Sequence, residues 1–86
     1  MTLLSIIMPV YNKEEYIDRA IQSIIGQSFK EWELIIVDDG SIDKSLSLCK
    51  KYENEKIKVI SIENNGVSNA RNIGLNMSCG DFFTFF

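Results

Sequence analysis

The chain has 86 residues, 45% of them hydrophobic and 24% charged, a composition that excludes a disordered tail and allows one folded domain. Its formal net charge of −3 excludes a general nucleic-acid binder, which needs a basic surface to displace counterions from phosphates. The chain has no histidine, and Cys49 and Cys79 lack CxxC spacing, so we expect two reduced, packed thiols and no zinc site.

A strand and a helix are predicted in the first third of the chain. Residues 3–10 form a short apolar run rich in β-branched side chains, and apolar residues between positions 16 and 25 recur at helical spacing. Asn12 is placed to cap this helix, with Glu15 three residues later in the manner of a capping box. Gly26 is placed to end it. The first strand therefore leads directly into the first helix.

The rest of the chain repeats the alternation of strand and helix. Residues 33–37 form a run that is continuously apolar after Glu33, which is typical of a strand buried on both faces, and residues 56–62 and 82–86 predict two more strands. Two apolar stripes with helical spacing lie between these strands: Ile42, Leu46, Cys49 and Tyr52, and then Val67, Ala70, Ile73, Gly74 and Met77, with Gly80 as the stop. The predicted fold class is α/β, a Rossmann-like parallel sheet of about four strands with helices on both faces.

Polar residues follow the predicted strands. Ligands of parallel sheets bind beyond the carboxyl ends of the strands, a rule that selects residues 9–14, 38–41 and 64–72. Asp38 and Asp39 end a buried strand, where adjacent side chains point to opposite faces, so we expect one to contact a ligand and the other to brace the turn. Such a carboxylate accepts an N–H from a pyrimidine or a ribose hydroxyl. The same residues are equally compatible with a turn that caps the second helix.

Three further residues in these segments suit a nucleotide. Tyr11 offers an aromatic face for stacking on a base, although a tyrosine after a strand more often serves in packing. Gly66 permits close approach of the backbone. Arg71 is the candidate partner of a diphosphate, because a guanidinium matches phosphate oxygens and helix N-termini favour anions. A lone arginine on a helix is, however, usually a solvated surface charge.

Taken together, the three segments resemble the ordered signature of family 2 glycosyltransferases. They read PVYNKE at residues 9–14, QSFKEWELIIVDDGSID at residues 27–43 and NGVSNARNIGL at residues 65–75. The resemblance covers essentially the whole chain. It implies that residues 1–86 are one partial domain, the N-terminal, nucleotide-sugar-binding half of a glycosyltransferase A fold, with no second domain.

The resemblance also implies roles for individual residues. Asp39 would read the edge of a uracil, Asp38 would brace the turn, and Tyr11 would stack on the base. The residues implied to line the base and ribose are Pro9, Val10 and Glu14, and those implied to face the ribose and diphosphate are Gly66, Ala70 and Arg71. The nucleotide sugar expected from the resemblance is a UDP-sugar.

Members of the family transfer the sugar with inversion to a glycan or lipid-linked acceptor, so the resemblance implies polysaccharide biosynthesis. A carboxylate base deprotonates the acceptor hydroxyl, and a divalent metal, Mn or Mg, neutralises the departing diphosphate. The base and the Asp-x-Asp motif for the metal are expected beyond Phe86. We therefore expect no catalytic residue and no metal ligand in this segment, and no activity from it alone. A cytoplasmic location is expected, with peripheral attachment to the inner face of the membrane as an open alternative.

Other functions fit the sequence less well or remain open. A phosphoacceptor receiver domain needs an aspartate after the third strand, where Ile60-Ser61-Ile62-Glu63 has none, and a dinucleotide-binding dehydrogenase needs a glycine-rich turn after the first strand. A catalytically inactive nucleotide-binding or protein-interaction module stays open. Four of the five phenylalanines lie in the last five residues, which predicts self-association through an exposed C-terminal strand.

Overall fold

The computed structural model describes residues 2–86, in which four strands alternate with three helices. Their bounds are β1 Leu4–Val10, α1 Ile17–Ile25, β2 Trp32–Asp39, α2 Ser45–Lys50, β3 Ile57–Ile62, α3 Val67–Met77 and β4 Phe82–Phe85. The strands form one parallel sheet in the order β3-β2-β1-β4. The predicted α/β fold with a four-stranded parallel sheet is confirmed.

Helices cover both faces of the sheet, as predicted. Strand β2 lies between β1 and β3 and is buried at every position. On one face its side chains join those of β1, α1 and α2 in the larger apolar cluster, and on the other Ile35 and Val37 pack against Ala70 of α3. Because successive side chains of a strand alternate between faces, a strand covered on both sides needs apolar residues at consecutive positions, as residues 34–37 of β2 are.

Helix α3 approaches the sheet closely because it has a glycine at the contact. A Cβ atom at Gly74 would lie 2.5 Å from Cγ2 of Ile7, far inside van der Waals contact. One turn earlier, Ala70 is fully buried. These small residues fix the height of α3 above the sheet, and with it the position of the turn that precedes the helix.

The predicted capping box is wrong. Helix α1 begins at Ile17, and its N-cap Tyr16 makes no side-chain capping hydrogen bond. Asn12 lies four residues before that cap with a φ of 51°, and its Oδ1 accepts the N–H of Ile42 at 2.9 Å. Asparagine tolerates this left-handed backbone better than most residues. The chain therefore bends at Asn12 before α1 begins, and neither Asn12 nor Glu15 caps the helix.

The other predicted helix ends differ in three places, one of which is Tyr52, which lies beyond the end of α2 at Lys50. Gly26 is the C-cap of α1, as predicted. Ile42 lies outside α2, which begins at Ser45, and its side chain is 89% exposed. Helix α3 ends at Met77, before Gly80, whose close neighbour is β1: a Cβ there would lie 2.7 Å from Oγ of Ser5.

A buried carboxylate fastens the start of β4 to the sheet. Oε2 of Glu33 accepts the Ser5 hydroxyl at 2.6 Å and the Cys79 N–H at 2.6 Å, and the Ser5 hydroxyl oxygen in turn accepts the Gly80 N–H at 2.9 Å. Nζ of Lys58 lies 3.5 Å from Oε1 of Glu33. Desolvation acts to raise the pKa of Glu33, but these hydrogen bonds and the Lys58 charge outweigh it, so the pKa lies below its ordinary value.

Both cysteines are free thiols, but only one is packed. Cys49 is buried and Cys79 is exposed, so the expectation of packed thiols is wrong for Cys79. Burial, followed by the nearby charges of Asp38 and Asp43, raises the pKa of Cys49 to about 12. A thiol in this state is unreactive, which suits a purely structural role for Cys49.

Strand β4 lies at one edge of the sheet and is exposed along its length. Phe82 and Phe83 are 65% and 55% exposed. The ring of Phe85 packs edge-on against Phe83. Within residues 2–86, no helix combines the length and apolarity needed to cross a bilayer.

Candidate functional site

A cleft opens where the carboxyl ends of β1 and β2 meet the turn that precedes α3. Its volume is about 390 Å³, and the residues that line it are Pro9, Val10, Tyr11, Lys13, Asp39, Asn64, Gly66 and Val67. They come from all three segments selected by the strand-end rule. Parallel strands bring their carboxyl ends to one edge of the sheet, which is why residues far apart in sequence meet here.

Asp39 connects the end of β2 to the turn before α3. Its Oδ1 accepts the N–H of Asn65 at 2.9 Å, and its Oδ2 accepts the N–H of Gly66 at 3.1 Å. The side-chain amide of Asn64 donates to the main-chain carbonyl of Asp39 at 3.0 Å. These bonds fix the plane of the carboxylate beside the cleft. Because a carboxylate has about four lone-pair sites, it can still accept a further donor from a ligand.

Two glycines shape the turns around this carboxylate. Gly40 has a φ of 71°, and a Cβ atom there would lie 2.7 Å from the backbone nitrogen of Asn64. Gly66 has a φ of 93°, yet a Cβ atom there would meet nothing within 4 Å. Glycine is therefore required at position 66 for the backbone conformation, and the space beside it is open.

Asp38 points away from the cleft. Its Oδ2 accepts the N–H of Ser41 at 3.2 Å, and the residue is 1% exposed. Oδ1 of Asp38 is buried and has no hydrogen-bond partner among residues 2–86. The two adjacent carboxylates therefore have different surroundings: Asp38 contacts the turn after β2, and Asp39 borders the cleft.

The cleft has an aromatic wall and a basic group on its β1 side. Tyr11 is 46% exposed, which leaves much of its ring accessible to a ligand. Lys13 is the only cation among the residues that line the cleft, and Asp39 is the only acid. Lys13 also borders a second, more apolar groove of about 410 Å³ beside α1.

The structure does not bring every predicted site residue into the cleft. Glu14 lines a separate surface cavity with Asp43. Ala70 is fully buried and packs in the core. Arg71 follows Ala70 on α3, and its guanidinium lies 5.1 Å from the centre of the Phe85 ring, on the side of β4. The ligand roles of Glu14, Ala70 and Arg71 stay predictions.

Three residues that line the cleft were not among the predicted site residues: Lys13, Asn64 and Val67. Lys13 and Asn64 lie inside segments that the strand-end rule selected, so their neighbourhood was predictable. Sequence spacing does not reveal which side chains of an irregular loop face a cleft. Val67 was assigned to the buried stripe of α3, but it is the first residue of that helix and is 50% exposed.

No group of three or more His, Cys, Asp or Glu side chains within residues 2–86 is arranged to hold a metal ion. Asp38 and Asp39, the adjacent acids nearest the cleft, point to opposite faces of the sheet and are engaged by backbone N–H groups. The residues of this cleft therefore do not fit a divalent cation.

Comparison with protein families and curated proteins gives one consistent result. The family model described as Glycosyl transferase family 2 matches residues 5–86. Glycosyltransferase GlyA of Streptococcus pneumoniae serotype 4 is 43% identical over 84 residues, which are 95% of this chain and 12% of that protein. Minor teichoic acid biosynthesis protein GgaA of Bacillus subtilis is 48% identical over 79 residues, which are 85% of this chain and 18% of that protein. The chain thus spans a minor part of the length of these relatives.

Solved structures share the fold. The crystal structure of S. aureus TarS residues 1–349 in complex with UDP superposes with a TM-score of 0.91 at 37% sequence identity. The match covers 99% of this chain and 27% of that chain. A mannosyltransferase from Pyrobaculum calidifontis, at 22% identity and a TM-score of 0.84, shares the same fold.

Proposed function

The chain belongs to glycosyl transferase family 2, and we propose that it forms the part of such an enzyme that binds the nucleotide of a UDP-sugar donor. The observation that carries the proposal is the cleft in which the Asp39 carboxylate and the Tyr11 ring lie together at the carboxyl ends of β1 and β2. The UDP complex of TarS, a protein 37% identical to this chain, supports the choice of nucleotide.

In this proposal Asp39 reads the base. The N–H groups of Asn65 and Gly66 hold the carboxylate plane in place, and a remaining lone pair accepts the imide N3–H of uracil. A hydrogen bond to a charged acceptor contributes about 1.5–3 kcal/mol. Cytosine has no hydrogen at N3 and would place its own lone pair against the carboxylate, so the same group disfavours a cytidine nucleotide.

The other residues that line the cleft are proposed to contact the base, the ribose and the diphosphate. The half-exposed ring of Tyr11 stacks on the base, while Pro9 and Val10 pack beside the base and ribose. Lys13 neutralises part of the diphosphate charge. Arg71 is proposed to join it, which requires its guanidinium to leave the Phe85 ring. Leaving an exposed cation–π contact of this kind costs about 0.5–1 kcal/mol, less than a charge-assisted bond to phosphate provides.

For the complete protein we propose inverting transfer of the sugar to a glycan or lipid-linked acceptor, with Mn or Mg to neutralise the leaving diphosphate. Residues 2–86 contain no cluster of metal-binding side chains, so their contribution is to bind and orient the donor. Since this chain spans only 12% and 18% of the lengths of GlyA and GgaA, we propose that it is a partial domain and inactive alone. Metal-dependent sugar transfer by the isolated chain would contradict this.

We also propose self-association through β4, which is an edge strand with exposed phenylalanines. A cytoplasmic location, with or without peripheral attachment to a membrane, stays a prediction.

The test of base recognition varies the nucleotide and leaves the protein unchanged. Calorimetric titration with UDP, N3-methyl-UDP and CDP varies the base at the same ribose and diphosphate: N3-methyl-UDP is changed at N3 alone, and CDP is changed at N3 and at C4. We expect N3-methyl-UDP and CDP to bind about 10-fold to 150-fold more weakly than UDP, the loss of one charge-assisted hydrogen bond. Equal affinities would refute the role of Asp39, and no binding of any nucleotide would refute the proposed function.

A further inference from the structure

We propose that Asp43 is a positioning residue for the cleft: together with Ser41 and Ser45 it holds the backbone segment that carries Tyr11 and Lys13. Asp43 does not line the cleft, so it acts through other residues. The inference rests on the proposed function, because the consequence of this positioning is measured as affinity for UDP.

Three successive backbone N–H groups after β1 each donate to a side-chain oxygen of the segment that follows β2. The pairs are Asn12 with Ser41 at 2.9 Å, Lys13 with Ser45 at 2.7 Å and Glu14 with Asp43 at 3.3 Å. In return, Oδ1 of Asn12 accepts the N–H of Ile42 at 2.9 Å. These cross-links replace the strand pairing that stops at the ends of β1 and β2, and they satisfy N–H groups that have left the sheet.

The carboxylate of Asp43 accepts hydrogen bonds from both segments. Its Oδ2 accepts the N–H of Glu14, and its Oδ1 accepts the N–H of Ser45 at 2.9 Å, at the start of α2. Desolvation acts to raise the pKa of Asp43, but the hydrogen bonds of Ser45 and Glu14 lower it below its ordinary value, because they favour the charged form. One carboxylate therefore fixes the first turn of α2 and the bend after β1 relative to each other.

The segment that these bonds hold carries the residues proposed to contact the nucleotide. Asn12 has a φ of 51°, a left-handed conformation that the hydrogen bonds with Ser41 and Ile42 stabilise. Tyr11, next to it, is 46% exposed, so packing leaves much of its ring unconstrained. The direction of the Tyr11 and Lys13 side chains into the cleft is therefore set largely by the backbone of residues 12–14.

A simpler role for Asp43 is to cap α2, and one substitution separates the two roles. Asparagine is as good as aspartate at a helix start, so Asp43→Asn keeps one oxygen for the N–H of Ser45. Its NH₂ group cannot accept a hydrogen bond, so the bond from Glu14 is lost. Capping alone predicts an unchanged protein, whereas positioning predicts weaker UDP binding with little loss of fold stability.

Positioning and long-range electrostatics predict changes of opposite sign in UDP affinity for Asp43→Asn. UDP is an anion, and removing a negative charge near its site strengthens its attraction to the protein. Electrostatics alone therefore predicts that Asp43→Asn binds UDP more tightly. The positioning role predicts the opposite change.

The experiment measures UDP affinity by calorimetry for the unmodified chain and for Asp43→Asn, with thermal unfolding of each. Ser41→Ala is the second variant, since it removes the acceptor for Asn12 and decides the question if the first variant does not fold. Ser47→Ala is the control: its hydroxyl donates to the carbonyl of Lys44, the residue before α2, and takes no part in the hydrogen bonds that hold residues 12–14. We expect about threefold to tenfold weaker binding in both test variants, the loss of one hydrogen bond, and no change in the control.

A double-mutant cycle with Tyr11→Ala distinguishes positioning from a general loosening of the fold. If Asp43 acts through Tyr11, Asp43→Asn should have a smaller effect on UDP affinity once the ring is gone. Full additivity, or unchanged or tighter binding in both test variants, would overturn the inference while leaving the proposed function intact. If the unmodified chain binds no UDP, both are overturned.

Discussion

Replacing Gly74 with alanine should destabilise the protein, although the same change raises the intrinsic helix propensity of α3. Alanine is favoured over glycine inside a helix by about 0.5–1 kcal/mol. Against this, the added Cβ would lie 2.5 Å from Cγ2 and 3.2 Å from Cγ1 of Ile7, which is itself fully buried. Overpacking of this kind costs about 1–3 kcal/mol. The difference between these two terms is about 0–2.5 kcal/mol, so we expect a net loss of about 1 kcal/mol.

Thermal unfolding followed by circular dichroism measures this loss, because 1 kcal/mol corresponds to about 4–8 °C in a domain of this size. Asn76→Ala is the matched control: it lies on the same helix, is exposed, and gains helix propensity without a new contact. The control should be as stable as the parent or slightly more so, while Gly74→Ala melts several degrees lower. If both variants are stabilised alike, α3 does not pack against β1 as closely as the structure shows, and the reasoning fails.

Two further predictions concern β4: the buried carboxylate of Glu33 that fastens its start to the sheet, and its exposed phenylalanines. The pKa of Glu33 is lowered in the folded protein, so its stabilising contribution is complete above its ordinary pKa of 4.5 and is lost as the pH falls through the lower, folded value. Glu33→Gln should therefore be less stable than the parent at pH 7. In acid unfolding below pH 4.5 it should lose less stability than the parent does. Sedimentation should show concentration-dependent association of the chain, reduced by Phe83→Ser; a monomer at all concentrations would contradict docking through β4.

The sequence predicts the sheet well because burial on two faces leaves a local pattern. The apolar run of β2 can only serve a covered strand, and the structure buries all of it. Ala70 shows the same logic: its place in the apolar stripe of α3 is confirmed by its burial, whereas the resemblance also assigned it to the ligand. Within a regular helix, periodicity indicates the direction of a side chain.

The loops are less predictable because their partners are distant in sequence. Asn12 looks like a helix cap from its neighbours, yet its side chain bonds to Ile42, 30 residues away. Asparagine side chains satisfy whichever backbone group lies within reach, and that choice depends on how two loops meet in space. The same reason hides the contribution of Lys13 and Asn64 to the cleft, since neither lies on a regular element.

Asp39 illustrates why the nucleotide, and not the protein, is the better variable for testing this site. The substitution Asp39→Asn leaves one acceptor oxygen where the carboxylate now receives N–H groups on both oxygens, from Asn65 and Gly66. Leaving one of these groups unsatisfied costs about 1–3 kcal/mol and displaces the turn before α3. Weaker UDP binding by that variant would therefore follow whether or not Asp39 contacts the base. Methylation of N3 removes the hydrogen bond to the base and leaves the turn before α3 intact. The comparison of UDP with N3-methyl-UDP therefore separates recognition of the base by Asp39 from the support that Asp39 gives to this turn.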